Sequence, residues 1–261
     1  VVICGDGQGG SARRKIVNKN YKEGRKPLRL NRDVKNLTQE EELQNKVWQQ
    51  VRLVEYLNNF PVTQLVSDGS EADDVISFVA QLPFFSDWQK VIVSSDKDFF
   101  QLLDDKIVVY RPTQKEVLNK KNVIDKFGIH PTNFALARAI VGDKSDNLDG
   151  VPGVGLPTVA KRLPFLSQKE SYTIDSVIKF CNNTDSNLSA YKNILENEPV
   201  IKENYQLMQL YSPSISVQKE TDLTLYKTLT NGMMLEDGIG KTSWNDLFIS
   251  FRLIQQSNKK K

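Results

Sequence analysis

The 261-residue chain contains few of the residues on which several common classes of protein depend. Two cysteines, Cys4 and Cys181, do not suggest a disulfide scaffold, and the single histidine, His130, argues against a zinc site or a Ser-His-Asp triad. No apolar run approaches the roughly 20 residues of a transmembrane helix, and no signal peptide is visible. The composition therefore fits a soluble intracellular protein with no membrane partner.

The most informative segment is residues 142–155, where acidic residues precede a glycine-rich turn. Asp143 and Asp146 lie three residues apart, and Pro157–Arg162 follows as a predicted helix. Carboxylates bind hard divalent cations through oxygen, and a glycine turn that opens a helix presents backbone N–H groups to phosphate. The pattern indicates chemistry on a phosphodiester backbone. The alternative is an acidic surface loop before a glycine-capped helix.

A second acidic group, Glu71-Ala72-Asp73-Asp74, stands where an apolar-periodic helix is predicted to begin, with Ser70 as its N-cap. Acidic residues are common in the first turn of any helix because they complement its dipole. Three carboxylates in four positions exceed that need, and Glu71 and Asp74 share one helical face. This group is therefore a candidate set of metal ligands.

Two more acidic groups follow strand-like runs. Asp96 and Asp98 come after the apolar run 90–95, interpreted as a buried strand, at the end of the strand where open α/β sheets bind ligands. Asp6 follows the run Val1–Cys4 in the same way. The glycines around Asp6 match G-x-G-x-x-G, but no adequate helix follows, which excludes a dinucleotide site. Together the four acidic groups predict a shared metal centre.

The positive charge is concentrated in one segment. Between Arg13 and Lys35 lie ten Lys or Arg residues and only two acids, a pattern typical of a mobile, solvated segment that contacts nucleic acid. The alternative is a merely soluble loop. Thr38 to Glu41 is a capping box that opens a helix to about Asn58. The apolar stripe of this helix is formed by Leu43, Val47, Val51 and Val54.

These motifs, in this order, resemble the 5′-nuclease (flap endonuclease) family, in its bacterial DNA polymerase I and bacteriophage 5′-exonuclease and RNase H branch. The matching stretches span roughly residues 1–163: Asp6–Arg14, Tyr21–Arg25, Glu71–Asp74, Ser94–Phe99 and Gly142–Gly155. The family normally begins with a strand that ends in an aspartate, followed by a helix. This chain starts at Val1 without them, so we expect that segment upstream. We also expect a standalone protein rather than a polymerase fragment, because no polymerase motif is visible.

The resemblance implies an α/β fold of the PIN-like nuclease type: a central, mostly parallel sheet flanked by helices, with a helical arch and a helix-hairpin-helix subdomain. We expect an α/β core over residues 1–115, with the arch at about 13–58, and the hairpin region over 116–165. A mostly helical part over 166–250 would pack on the core, and 251–261 would be a basic tail.

The resemblance also implies two-metal phosphodiester hydrolysis, with two Mg²⁺ ions about 4 Å apart that activate water and stabilise the leaving oxygen. Mn²⁺ would substitute, and K⁺ is expected at the hairpin. Asp6, Glu71 and Asp73 would serve the first metal. The second would be served, in part through water, by Asp74, Asp96, Asp98, Asp143 and Asp146.

Outside the metal ligands, Lys22 and Arg25 resemble catalytic arch residues that contact the scissile phosphate. The expected DNA-binding residues are Arg13, Arg14, Tyr21, Gly153, Gly155 and Lys161. Tyr21 would either stack on a base near the cleavage point or anchor the arch, and the sequence favours neither.

The implied function is a structure-specific 5′-nuclease acting on 5′-flap or nicked duplex DNA with a free 5′ end, and on RNA of RNA–DNA hybrids, in primer or flap removal. It would be a monomer in the bacterial cytoplasm, or in the host cytoplasm if phage-encoded, with replication proteins as partners. Two alternatives stay open: a non-catalytic, structure-selective DNA-binding protein, and a metal-dependent ribonuclease of a related fold.

Overall fold

The computed structural model describes residues 1–25 and 37–212, which belong to two compact units. The described part of the first unit comprises residues 1–5 and 37–66, and that of the second comprises 6–25 and 67–212. The expected domain boundaries stay a prediction, and most of the basic block's second half and the expected basic tail lie outside the described residues. None of the described helices has the length and apolarity needed to cross a membrane.

The described strands are β1 (Val2–Asp6), β2 (Thr63–Ser67), β3 (Lys90–Val93), β4 (Ile107–Arg111) and β5 (Glu116–Leu118). The described α-helices are α1 (Ala12–Val17), α2 (Gln39–Leu57), α3 (Ala72–Gln81), α4 (Lys120–Phe127), α5 (Phe134–Val141), α6 (Leu156–Arg162), α7 (Ile174–Asn183), α8 (Ser189–Glu196) and α9 (Glu198–Met208).

In the first unit, α2 begins with the predicted capping box. The Thr38 hydroxyl accepts from the Glu41 N–H at 3.3 Å, and the Glu41 carboxylate accepts from the Thr38 N–H at 2.8 Å. The helix ends at Leu57, one residue before the predicted end. Its apolar stripe is not buried, since Leu43 is 62% and Val47 52% exposed. Strands β1 and β2 pair in a two-stranded sheet.

In the second unit, β3 pairs in parallel with β4, and β4 pairs antiparallel with β5. The interpretation of residues 90–95 as a fully buried strand is wrong. Ile92 is buried, whereas Val91 and Val93, which point to the other face, are 56% and 63% exposed. The β-branched run reflects a strand covered on one face.

The start of α3 also differs from the prediction. Glu71, in an extended conformation with φ −80° and ψ 159°, is the N-cap in place of Ser70. The Asp74 carboxylate accepts from the Glu71 N–H at 3.3 Å, which closes the first turn. The Ser70 hydroxyl is buried and has no hydrogen-bond partner among the described residues. As the N-cap residue, Glu71 places its side chain beside the first turn of α3.

The core of the second unit is centred on α5, in which every residue from Phe134 to Ile140 is buried. Phe100 and Phe134 pack edge to face at 5.4 Å between ring centroids. Helix α9 packs along α5, and the predicted helical character after residue 164 is confirmed as far as residue 208. Because α5 is so firmly held, the acidic segment that follows it starts from a fixed point.

Candidate active site

The candidate site is an open cavity of about 220 Å³ in the second unit. Its lining includes six carboxylates and two cations: Asp6, Glu71, Asp73, Asp96, Asp98, Asp146, Lys22 and Arg25. The carboxylates come from the end of β1, the first turn of α3, the loop after β3 and the short helix Lys144–Asp146. The structure thus brings members of all four acidic groups to one cavity, and their service as metal ligands stays a prediction.

Arg14, on α1, organises the acidic start of α3. Its guanidinium donates to both carboxylate oxygens of Asp74, at 2.9 and 3.1 Å, and lies 2.9 Å from Glu71. Its Nε donates to the Leu207 carbonyl at 3.0 Å. Arg14 was expected to contact DNA, but in this arrangement its side chain is 11% exposed and is committed to carboxylates. Arg14 therefore holds the acidic first turn of α3 in place.

Three residues of the basic block, Tyr21, Lys22 and Arg25, also contact carboxylates that line the cavity. The Tyr21 hydroxyl donates to Glu71 at 3.2 Å, and the Lys22 ammonium donates to the same carboxylate at 2.6 Å. Arg25 pairs with Asp146 and donates to the Ser145 carbonyl at 3.0 Å. Tyr21 is 3% exposed, so its ring is not available to a base in this structure. The placement fits the anchoring alternative, whereas Arg13, Lys15 and Lys19 of the same basic block are exposed.

The loop after β3 and the end of α5 meet at Arg138. Its Nε donates to Asp98 at 2.8 Å, its Nη2 pairs with Asp143, and its Nη1 donates to the Gly142 carbonyl at 3.2 Å. Asp96 is exposed and accepts from the Asp98 N–H at 2.9 Å. Arg138 carries no sequence signal that distinguishes it from any other helical arginine, and sequence reasoning missed it.

Burial shapes the electrostatics of these acids. It raises the pKa of Asp98 to about 7 and that of Asp73 to about 6, against the opposing charges of Arg138 and Arg14. Burial also raises the pKa of Asp146, although Arg25 opposes it. At Asp143 burial acts in the same direction but is outweighed by hydrogen bonds from Ser145 and by Arg138, so its pKa lies below the ordinary value. The cavity therefore favours additional positive charge.

The donor set suits a hard divalent ion, because every candidate ligand is a carboxylate oxygen. Within the described ranges, no three Asp, Glu, His or Cys side chains are arranged to hold a metal ion. Arg14, Lys22, Arg25 and Arg138 each pair with carboxylates of this group. The chemistry of the candidate ligands fits a hard divalent ion.

The predicted hairpin connects α5 to α6. The Asp143 N–H donates to the Leu148 carbonyl at 2.9 Å, and the Val151 N–H donates to the Ile140 carbonyl at 2.8 Å. Gly153 is exposed with φ +73°, and a Cβ there would meet nothing within 4 Å. The hairpin thus presents bare backbone at the surface. Gly155 is the N-cap of α6, and Lys161 is exposed in its last turn.

The remaining predicted DNA-binding and metal positions lie near this cavity without lining it. Arg13 is exposed on α1 and borders a neighbouring cavity of about 340 Å³, together with Asp74. Asp143 has both carboxylate oxygens in hydrogen bonds, one with Ser145 and one with Arg138. Asp74 and Asp143 are therefore not among the residues that line the cavity.

Comparison with known proteins relates the first part of the chain to known nucleases. Residues 1–128 match the family model for the 5′-3′ exonuclease, N-terminal resolvase-like domain. Over this amino-terminal part the chain is similar to 5′-3′ exonucleases. It is 31% identical over 169 residues to a 5′-3′ exonuclease of Aquifex aeolicus, covering 65% of this chain and 54% of the relative. It is 37% identical over 112 residues to the thermostable DNA polymerase I of Thermus filiformis, covering 43% of this chain and 13% of the polymerase.

Solved structures confirm the fold. The crystal structure of the bacteriophage T5 flap endonuclease with DNA and metal ions aligns with a TM-score of 0.63 at 16% identity, over 96% of this chain and 83% of that one. The T5 5′-exonuclease with bound zinc gives the same TM-score at 19% identity, over 81% and 74%. The predicted α/β architecture is confirmed. The chain spans about half the length of the exonuclease relatives it matches.

Proposed function

We propose that this chain is a structure-specific 5′-nuclease that hydrolyses phosphodiesters of 5′-flap or nicked duplex DNA, in the removal of flaps or primers. One observation carries the proposal: six carboxylates and two cations from five separate parts of the family domain and hairpin line one open cavity. Charge of both signs in one cleft suits a substrate that is itself an anion and that reacts with the help of cations.

The residues that would hold divalent ions are the six lining carboxylates, with Asp74 and Asp143 supporting them from behind. We infer two Mg²⁺ ions, with Mn²⁺ as a substitute. When bound, such ions supply Lewis-acid stabilisation and a reactive water at neutral pH. The pKa values of Asp73 and Asp98 are raised mainly by burial, and a cation in the cavity would stabilise the charged carboxylates that burial disfavours, which supports this assignment.

Lys22 and Arg25 would bind the scissile phosphate. Both line the cavity, and both pair with acids, Glu71 and Asp146, that we assign as metal ligands. Lys22 and Arg25 would be free to bind the phosphate if those two acids held divalent ions. The chain's own groups would thereby orient the phosphate and stabilise the charge that develops on its oxygens.

The hairpin would grip the duplex away from the cleavage point. Gly153 offers exposed backbone without a side chain, and Lys161 adds a cation on the helix that follows. Contacts of this kind position a duplex without reading its sequence. The substrate would therefore need a double-stranded part as well as a free 5′ end.

A non-catalytic, structure-selective DNA-binding protein is the second candidate. It is favoured by the absence, among the described residues, of an assembled group of three metal ligands. The test is incubation of the chain with a 5′-flap duplex in Mg²⁺ and in EDTA, beside a single-stranded RNA of equal length. Mg²⁺-dependent cleavage of the flap supports the proposal. Binding without cleavage supports the second candidate, and preferential cleavage of the RNA would point to a ribonuclease.

A further inference from the structure

Arg138 joins two acidic groups that belong to different parts of the second unit. Asp98 follows β3 and lines the cavity, whereas Asp143 opens the hairpin that connects α5 to α6. The Arg138 guanidinium donates to Asp98 through Nε and pairs with Asp143 through Nη2, with Nη1 on the Gly142 carbonyl. Its side chain is 10% exposed. A single buried fork thus connects a cavity carboxylate to the base of the hairpin.

Asp143 is held from both sides. One of its oxygens accepts from the Ser145 N–H and from the Ser145 hydroxyl, each at 2.7 Å, and the other is paired with Arg138. Movement of the hairpin base would therefore move Asp143, and with it the guanidinium that holds Asp98. The chain of contacts from Ser145 through Asp143 and Arg138 to Asp98 has no gap.

We propose that Arg138 is a positioning residue that couples the hairpin to the carboxylate cavity, so that the orientation of Asp98 depends on the state of the hairpin. The inference rests on the proposed nuclease function for its activity readout. Its physical basis is the planar guanidinium, which can bind two carboxylates and a carbonyl at fixed angles. A lysine would keep the charge but would lack this fork.

Arg111 provides a matched control within the same unit. It is also buried, at 9% exposure, and donates to Glu116 at 2.8 Å. Its guanidinium lies 5.8 Å from the centroid of Phe100. It is on β4 and is absent from the residues that line the cavity. Loss of Arg111 reports the cost of removing a buried, ion-paired arginine without touching the proposed coupling.

The first measurement is single-turnover cleavage of a 5′-flap duplex in saturating Mg²⁺ by the full chain and by Arg138→Met, Arg138→Lys and Arg111→Met. We expect a loss of about 100-fold for Arg138→Met, the scale of a misplaced catalytic group. Arg138→Lys should remain at least about tenfold slow, because charge without the fork does not position Asp98. Arg111→Met should stay within about threefold of wild type, and all four should bind the duplex similarly in EDTA.

The second measurement needs no cleavage. Amide hydrogen exchange of residues 142–155 is compared with and without Mn²⁺, in the absence of DNA. Metal should slow exchange in the wild type and in Arg111→Met to the same extent, and should slow it clearly less in either Arg138 variant, where only direct binding at Asp146 remains. Should Arg138→Met fail to fold, Arg138→Lys decides the question by the same two readouts.

Two results would overturn the coupling. Wild-type behaviour of Arg138→Lys in both measurements would show that charge alone matters, and equal effects of Arg138→Met and Arg111→Met would show a purely structural role. A wild type that does not cleave in Mg²⁺ would instead contradict the proposed function. The hydrogen-exchange comparison would still support or overturn the coupling in that case.

Discussion

Replacement of Lys22 by methionine separates chemistry from binding and from folding. The substitution removes an ammonium that donates to Glu71 at 2.6 Å while keeping the length and apolar stem of the side chain. Lys22 has a left-handed backbone, with φ 58°, and methionine bears the same strain there as lysine because both carry a Cβ. The change in backbone energy should therefore be small.

The magnitudes follow from what Glu71 retains. It keeps Arg14 at 2.9 Å and the Tyr21 hydroxyl at 3.2 Å, so loss of the third donor should destabilise the fold by about 1–2 kcal/mol. If Lys22 stabilises charge that develops on the phosphate, its loss should slow the chemical step by about 10²–10³-fold. DNA binding in EDTA should change by only a few-fold, because many cationic contacts share it.

The assay is single-turnover cleavage of a 5′-flap duplex with enzyme in excess over substrate and above its dissociation constant. Lys120→Met is the matched control. Its ammonium makes an ion pair of similar length, 2.7 Å to Asp105, and its side chain is 32% exposed against 23% for Lys22. A Lys22→Met rate within about threefold of the Lys120→Met rate would refute the assignment of Lys22 to the transition state.

Three further predictions concern the cavity and the hairpin. Asp96→Asn should remove nearly all cleavage and leave DNA binding within a few-fold of wild type. The control Asp175→Asn, at an exposed position of α7, should leave both cleavage and binding unchanged. Normal turnover by Asp96→Asn would exclude Asp96 as a metal ligand. Gly153→Val should weaken binding to duplex DNA and leave binding to short single strands unchanged. Gly153→Asn should retain the fold for comparison, because asparagine tolerates positive φ. An equal loss of affinity for duplex and single-stranded DNA would argue against a duplex anchor. Because the pKa values of Asp73 and Asp98 are raised, the folded protein without metal binds more protons than the unfolded chain, and its melting temperature should rise as pH falls from 8 to 6. Mg²⁺ should raise the melting temperature more at pH 8 than at pH 6. A melting temperature that falls as pH falls would contradict the burial of these carboxylates.

The sequence predicted those parts of the fold and of the site that have a local signal. The capping box at Thr38, the acidic first turn of α3 and the strand before Asp96 each follow from a short pattern of residue types. The convergence of the acidic groups was predictable as well, because strand ends and the first turn of the following helix meet at one edge of an α/β sheet.

The sequence could not predict how the basic block is used. Arg14 and Tyr21 lie among Lys and Arg residues that look solvated, yet both are buried against acids at least 50 positions away. Such long-range ion pairs leave no periodicity or spacing in the chain. The same holds for Arg138, whose partners lie 40 and 5 residues away on opposite sides in the sequence.

Face-specific burial was also beyond the sequence. The run of β-branched residues in β3 is compatible with a strand buried on both faces, and only the packing of the second unit shows that Ile92 is covered while Val91 and Val93 are not. Likewise, the apolar stripe on α2 predicts a helix correctly but not whether that stripe is covered.

The most direct test of the central claim is the position of the cut on a 5′-flap duplex, mapped at nucleotide resolution with labels at both ends of the flapped strand. We expect Mg²⁺-dependent incision at or within a few nucleotides of the flap junction, abolished by EDTA and by Asp96→Asn. Flap DNA that is bound in Mg²⁺ but stays intact would contradict the assignment of this acidic cavity as a nuclease active site.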